Sequence, residues 1–169
     1  MAYDLQRFKD AQERDYDTAL AEIRAGRKIT HWIWYVFPQL KGLGKSDMCD
    51  RYGIDGLGEA NAYLADPTLR ARLVEMSRAL LSLDSNDPVV VMGKMGHIDA
   101  KKLRSCMTLF SRAERSDPAF QAVLDKYYEG EPDSRTLELL DQEQAKRRAT
   151  DVAVAFMDEY AGVFEELAK

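Results

Sequence analysis

Apolar positions along the chain recur at helical spacing, broken by capping residues rather than by strand-like alternation. Leu5, Phe8 and Ala11 form a first stripe behind Asp4, which can cap it; Tyr16, Leu20 and Ile23 form a second. The charges from Asp10 to Asp17 predict a break or bend between the two, and Gly26 stands where a C-terminal cap belongs. The block from His31 to Phe37 has strand-like composition but no neighbouring strand to pair with. Thr30 before it and Pro38 after it predict a short buried helix. Gly42 and Gly44 predict a tight turn, Ser46 an N-cap for a helix through Arg51, and Gly53 to Gly58 a flexible connection.

Asp-Pro occurs at Asp66-Pro67, Asp87-Pro88 and Asp117-Pro118, each a carboxylate at N-cap with proline at the first helical position. The first opens a strong amphipathic helix with Leu69, Leu73, Met76, Leu80 and Leu83 on one face; the second predicts a short helix stopping at Gly93. Gly93 and Gly96 predict a loop over Lys94 to His97. Asp99 then caps a helix that buries Leu103, Cys106 and Phe110, with Met107 at the margin. The third Asp-Pro helix runs to Tyr127 or Tyr128 and stops at Gly130. Thr136 to Ala168 contains no proline and reads as one long helix or two joined ones. Its middle, Asp141 to Thr150, is polar and solvated; Val152, Phe156, Tyr160 and Val163 restore an apolar stripe. The fold class expected is mainly α: a single compact multi-helix domain with a long C-terminal helix. Residues 1–140 form its body and 141–169 a helical extension of the same domain. That last stripe must be covered, either by the chain's own body or by a second copy. A homodimer through the C-terminal helix is the expectation, because the body is complete near Leu140.

Length and charge narrow the function. With 169 residues one domain is expected. A formal net charge of -5 argues against general nucleic-acid binding. No apolar run approaches the roughly 20 residues of a membrane span and no signal core precedes Asp10, so no membrane association and a cytoplasmic location are expected. Two cysteines, Cys49 and Cys106, without CxxC spacing, fit a reducing compartment and two small buried residues. His31 and His97 belong to no ligand cluster, so neither a metal nor a cofactor is expected.

Two stretches set polar groups among apolar ones. The first holds His31, Gln39, Gly44, Lys45, Ser46 and Tyr52, the second His97, Asp99, Lys102, Arg104 and Ser105. A glycine turn feeding a helix N-terminus suits an anion, and Lys102 or Arg104 could neutralise it if the two stretches pack together. Trp32 or Trp34 could floor such a pocket and stack a flat ring. His31 could be a general acid or base, and Ser105 a nucleophile only beside a base. The catalytic candidates are therefore His31 and Ser105. The ligand-binding candidates are Trp32, Trp34, Gln39, Gly44, Lys45, Ser46, Tyr52, Asp99, Lys102 and Arg104. Each has a structural alternative. A histidine beside two tryptophans is more often satisfied within the fold, Ser46 and Asp99 are explained as helix caps, and Lys101 and Lys102 suit a solvated face. Arg104, flanked by core residues, needs an anionic partner, either a protein carboxylate or a ligand.

Several runs together carry a resemblance: Thr30-His31-Trp32, Phe37-Pro38-Gln39, Gly42-Leu43-Gly44 with Ser46, and Lys102 to Phe110. They resemble the bacterial family filed as domain of unknown function 1810, whose members sometimes carry the label calpastatin. The similarity covers roughly Asp4 to Leu140. Cys106 stands where the family pattern has a second serine, which argues against a required hydroxyl there. The resemblance implies a compact helical fold and no established activity. The expected function is binding of a small anionic, ring-bearing metabolite of nucleotide or ADP-ribose type, with hydrolase or transferase activity open. The alternative is a non-enzymatic interaction module whose motifs are purely structural.

Overall fold

The computed structural model describes residues 2–168, with side chains as far as Gly162. Among the described residues the chain is helical, and β-pairing is confined to one isolated parallel bridge between Leu40 and Ile54. The order is α1 (Gln6–Arg24), α2 (Ile33–Val36), α3 (Asp47–Tyr52), α4 (Gly56–Ala65), α5 (Pro67–Leu81), α6 (Pro88–Val91), a 3-10 turn (Gly93–Met95), α7 (Gly96–Ser111), α8 (Pro118–Tyr128) and α9 (Ser134–Ala168). The mainly α fold with a long C-terminal helix is as the pattern predicts. By its contacts the chain divides into two units, Met1–Leu137 and Glu138–Lys169.

In the first unit α7 is the hub, packed against α2, α4, α6 and α8, while α5 packs against α1, α4 and α8. Leu103, Cys106, Met107 and Phe110 of α7 are wholly buried, so Met107 is core rather than margin. Edge-on and tilted aromatic contacts link the layers: Phe8 on Tyr63 at 5.2 Å, Tyr63 on Phe110 at 5.1 Å and Phe110 on Phe120 at 6.1 Å. All three Asp-Pro starts hold: Asp66, Asp87 and Asp117 accept hydrogen bonds from the first free N–H groups of α5, α6 and α8.

Elsewhere local signals yield to tertiary ones. α1 runs unbroken through the charged stretch because its polar groups find partners. The buried Gln12 amide donates to Tyr35 O (2.7 Å) and Tyr63 Oη (3.0 Å), and Glu13 pairs with Arg72 at 3.1 Å. Asp4 does not cap α1; the N-cap position is Leu5, without a side-chain bond. α2 starts at Ile33 and not at His31, because Thr30 Oγ1 is committed to Glu22 at 2.7 Å. The expected flexible stretch at Gly53 to Gly58 contains the start of α4. Glu59 anchors that start by accepting from Asp55 N (2.8 Å) and pairing with Arg7 at 3.0 Å. α7 begins at Gly96, three residues before Asp99, which is therefore inside the helix and not its cap. α9 is a single helix, exposed over most of 141–150, and Val152, Phe156 and Tyr160 are exposed in the single chain. The side chain of Val163 lies outside the described residues.

Candidate functional site

The loop from Gln39 to Ser46 is pinned at both ends. Lys41 N donates to Ile54 O and Ile54 N to Gln39 O, both at 2.9 Å, which fixes its start beside the entry to α4. Ser46 Oγ accepts from Cys49 N at 3.1 Å and caps α3. Between these points Gly44 lies so close over the first turn of α3 that a Cβ there would sit 2.3 Å from Cys49 Sγ. The loop faces α7 across an open cleft of about 500 Å³ lined by Gln39, Leu43, Gly44, Lys45, Ser46, Cys49, Ile98, Lys101, Lys102, Ser105, Asp133 and Arg135.

The third wall comes from the far end of this unit. Asp133 N donates to Thr108 Oγ1 at 2.8 Å, tying the start of α9 to α7. Asp133 Oδ2 in turn accepts from Thr136 N (2.8 Å) and Thr136 Oγ1 (2.6 Å). The carboxylate of Asp133 is thus occupied as the N-cap of α9. Lys45, Lys101 and Lys102 make no ion pair with any described residue, and Lys102 Nζ lies 5.3 Å from the centre of the Trp34 ring. Ser105 Oγ donates back to Lys101 O at 2.9 Å, as serines within helices commonly do.

Of the residues selected from the sequence, the cleft brings together Gln39, Gly44, Lys45, Ser46, Lys102 and Ser105. Trp34 and Tyr52 line a much smaller adjoining cavity of about 10 Å³ with Gln39, Cys49 and Lys102, room for about one water and not for a ring. The indole N–H of Trp34 is buried without an acceptor among the described residues. The remaining candidates lie elsewhere. His31 is exposed and its carbonyl accepts from Tyr35 Oη at 3.3 Å. Trp32 is wholly buried and donates to Glu22 at 3.0 Å. Asp99 forms a buried ion pair with Lys28 at 3.0 Å. Arg104 has its anionic partner in Glu131, donating to its carbonyl at 2.9 Å and approaching its carboxylate at 3.3 Å. Lys101, dismissed from the sequence as a solvated face, lines the cleft, as do Asp133 and Arg135, for which the sequence held no signal.

Burial pushes up the Glu22 carboxyl. Bonds from Ile29 N, Thr30 N, Thr30 Oγ1 and Trp32 Nε1 outweigh that effect and hold it below the usual carboxylate range. Burial also pushes the Cys106 thiol up, as expected of an inert core cysteine.

A larger cleft of about 790 Å³ lies against α5, lined by Arg24, Arg70, Arg78, Glu75 and Asp117 among others. Two of its three arginines are paired with its two carboxylates, Arg70 with Asp117 at 3.7 Å and Arg24 with Glu75 at 4.0 Å, which leaves Arg78, so its size is not matched by a concentration of unpaired cations like that of the smaller cleft. Among the described residues no group of three His, Cys, Asp or Glu side chains could hold a metal, and no helix is long and apolar enough to cross a membrane.

No curated protein matches the chain at a significant level. The crystal structure of the conserved hypothetical protein Rv1873 from Mycobacterium tuberculosis is similar, with a TM-score of 0.78 and 45% identity over 82% of this chain and 97% of that one. A model of a protein family of unknown function, DUF1810, matches residues 2–140. With that share of its length matched, the chain belongs to the DUF1810 family.

Proposed function

We propose that the cleft between the Gln39–Ser46 loop and α7 binds a small anionic metabolite carrying a ring, of nucleotide, sugar-phosphate or ADP-ribose type. The observation that carries this reading is the convergence of Lys45, Lys101 and Lys102, none of which makes an ion pair with a described residue, on one concave space. Its one carboxylate, Asp133, is occupied by Thr136. Three ammonium groups lining one concavity with a single carboxylate leave it net positive, and an oxyanion offsets that charge while accepting their hydrogen bonds. Gln39, Ser46 and Ser105 add neutral polar groups, and Leu43 and Ile98 offer apolar contact for a ring. Binding rather than turnover is what these groups support: among the described residues no histidine lines the cleft, and the Ser105 hydroxyl donates to Lys101 O.

The test is thermal unfolding of the full chain against nucleotides, sugar phosphates and ADP-ribose. A compound at a hundred times its Kd adds about 2.7 kcal/mol, raising Tm by about 5–11 °C in a protein of this size. The Lys101→Gln/Lys102→Gln variant loses that shift. If no compound moves Tm, or if the double variant keeps the full shift, the reading is wrong.

A second reading, favoured by the exposed apolar residues of α9, is an interaction module that self-associates as a homodimer through its C-terminal helix. Both readings can hold together, because they use different residues.

A further inference from the structure

We infer that α9 pairs antiparallel with α9 of a second copy, centred near Val152 and Ala153, with Arg148 of each chain beside Glu159 of the other. This rests on the self-association reading and adds its geometry.

Ala145, Ala149, Val152, Phe156 and Tyr160 recur at three- and four-residue steps and therefore share one face of the helix. Val152 is 69% exposed, Phe156 58% and Tyr160 40%, and Ala145 and Ala149 are exposed as well. The rings of Phe156 and Tyr160 lie 4.5 Å apart and form a single aromatic ridge. The face is uneven: small alanines at its N-terminal half, aromatics at its C-terminal half. A parallel pair sets ridge on ridge and alanine on alanine. An antiparallel pair centred near Val152 sets the Phe156–Tyr160 ridge of each copy into the Ala149–Ala145 hollow of the other, so the surfaces interdigitate.

Charge selects the same orientation. Arg148 and Glu159 flank the apolar face on the same side, and Lys146 flanks it on the other. In an antiparallel pair equal flanks meet, so Arg148 faces Glu159 of the second copy, and Glu159 faces its Arg148. In a parallel pair opposite flanks meet and Arg148 faces Lys146. Neither Arg148 nor Glu159 has an ion-pair partner among the described residues, whereas Arg147, which points away from the face, pairs with Glu143 at 3.5 Å. The polar side also argues for a second copy rather than a lipid surface. The polar side of a membrane-surface helix is predominantly basic, whereas here Asp151, Asp158 and Glu159 balance Lys146, Arg147 and Arg148.

The full chain separates the outcomes. Its mass in solution, measured against concentration, should show a dimer that Phe156→Asp abolishes. Arg148→Glu and Glu159→Arg should each weaken dimerisation by on the order of tenfold, and Arg148→Glu/Glu159→Arg should restore it. Spin labels on Gln144→Cys should lie about 25 Å apart along the pair axis, and labels on Ala155→Cys within about 10 Å, since each residue away from the centre adds about 3 Å. A monomer at every concentration overturns both the self-association reading and this geometry, as does a monomer that binds anionic vesicles. A dimer with equal label distances at the two sites, or one that the double charge swap fails to restore, overturns the antiparallel pairing alone.

Discussion

Glu22 is the residue whose removal the fold should feel most sharply. Its carboxylate lies inside the turn between α1 and α2 and accepts from Ile29 N (2.7 Å), Thr30 N (2.9 Å), Thr30 Oγ1 (2.7 Å) and Trp32 Nε1 (3.0 Å). Glu22→Ala leaves the indole N–H of Trp32 with no route to water, since Trp32 is wholly buried. An orphaned buried donor costs about 1–3 kcal/mol, and loss of the charge-assisted bonds to the 29–30 backbone adds about 2 kcal/mol. The expected total is about 3–5 kcal/mol, read in urea as a midpoint lowered by about 1–2.5 M. Glu22→Gln keeps an acceptor oxygen and should cost about 1–2 kcal/mol. The pH dependence has a definite sign. The folded carboxyl lies below its ordinary value, so its contribution is present above the unfolded pKa of about 4.3 and is lost as pH falls through the folded value. The gap between wild type and Glu22→Gln should therefore shrink below about pH 4.3. An Ala variant within 1 kcal/mol of wild type, or a gap that widens in acid, would refute the assignment of these bonds as the anchor of the turn.

The Lys28–Asp99 pair should behave as a buried ion pair. Asp99→Ala, which strands the ammonium beside Trp32, should cost about 3–5 kcal/mol in chemical denaturation, whereas Lys28→Met/Asp99→Leu should cost much less; equal losses would contradict the pairing. Gly42 and Gly93 separate strain from collision. Both have positive φ (96° and 76°), but a Cβ at Gly42 meets open space and one at Gly93 meets Lys28 O at 2.0 Å. Gly42→Ala should cost about 1–2 kcal/mol and Gly93→Ala clearly more, measured by the same unfolding transition, and the reverse order would show that the Lys28 contact can relax.

The reach of the sequence follows the range of the interactions. Helix starts at Pro67, Pro88 and Pro118 were legible because a carboxylate and a proline act on backbone within three residues. The unbroken course of α1 and the start of α4 were not. They depend on Gln12 meeting Tyr63 and on Glu59 meeting Arg7, partners about fifty positions away. The same division runs through the cleft. Gln39, Gly44, Lys45 and Ser46 announce themselves as a turn closed by a cap, and Lys102 and Ser105 as polar positions in an apolar helix. Asp133 and Arg135 enter only because Thr108 of α7 captures the Asp133 backbone. His31, Trp32, Asp99 and Arg104 drew attention as polar or aromatic groups in apolar company. Trp32, Asp99 and Arg104 hold partners inside the protein, and His31 stands outside the cleft.

That contrast bears on what the cleft is for. In a chain of net charge -5, carboxylates outnumber cations, and several cations of the body find one. Arg7 pairs with Glu59, Lys9 with Asp66, Arg70 with Asp117, Arg72 with Glu13 and Arg104 with Glu131. Lys45, Lys101 and Lys102 do not, and they come from two elements distant in sequence to line one concavity. Solvation alone gives no reason for that, since a lysine needing only water is served anywhere on the surface. Helix stability gives none either, because Lys101 and Lys102 lie in the interior of α7, away from the last turn where the helix dipole favours cations. Their mutual repulsion costs the folded state a little electrostatic energy, which the single carboxylate of the cleft, Asp133, offsets in part. A bound anion would return it, and the loop that Gly44 presses against Cys49 holds Lys45 and Ser46 in place to share in that contact.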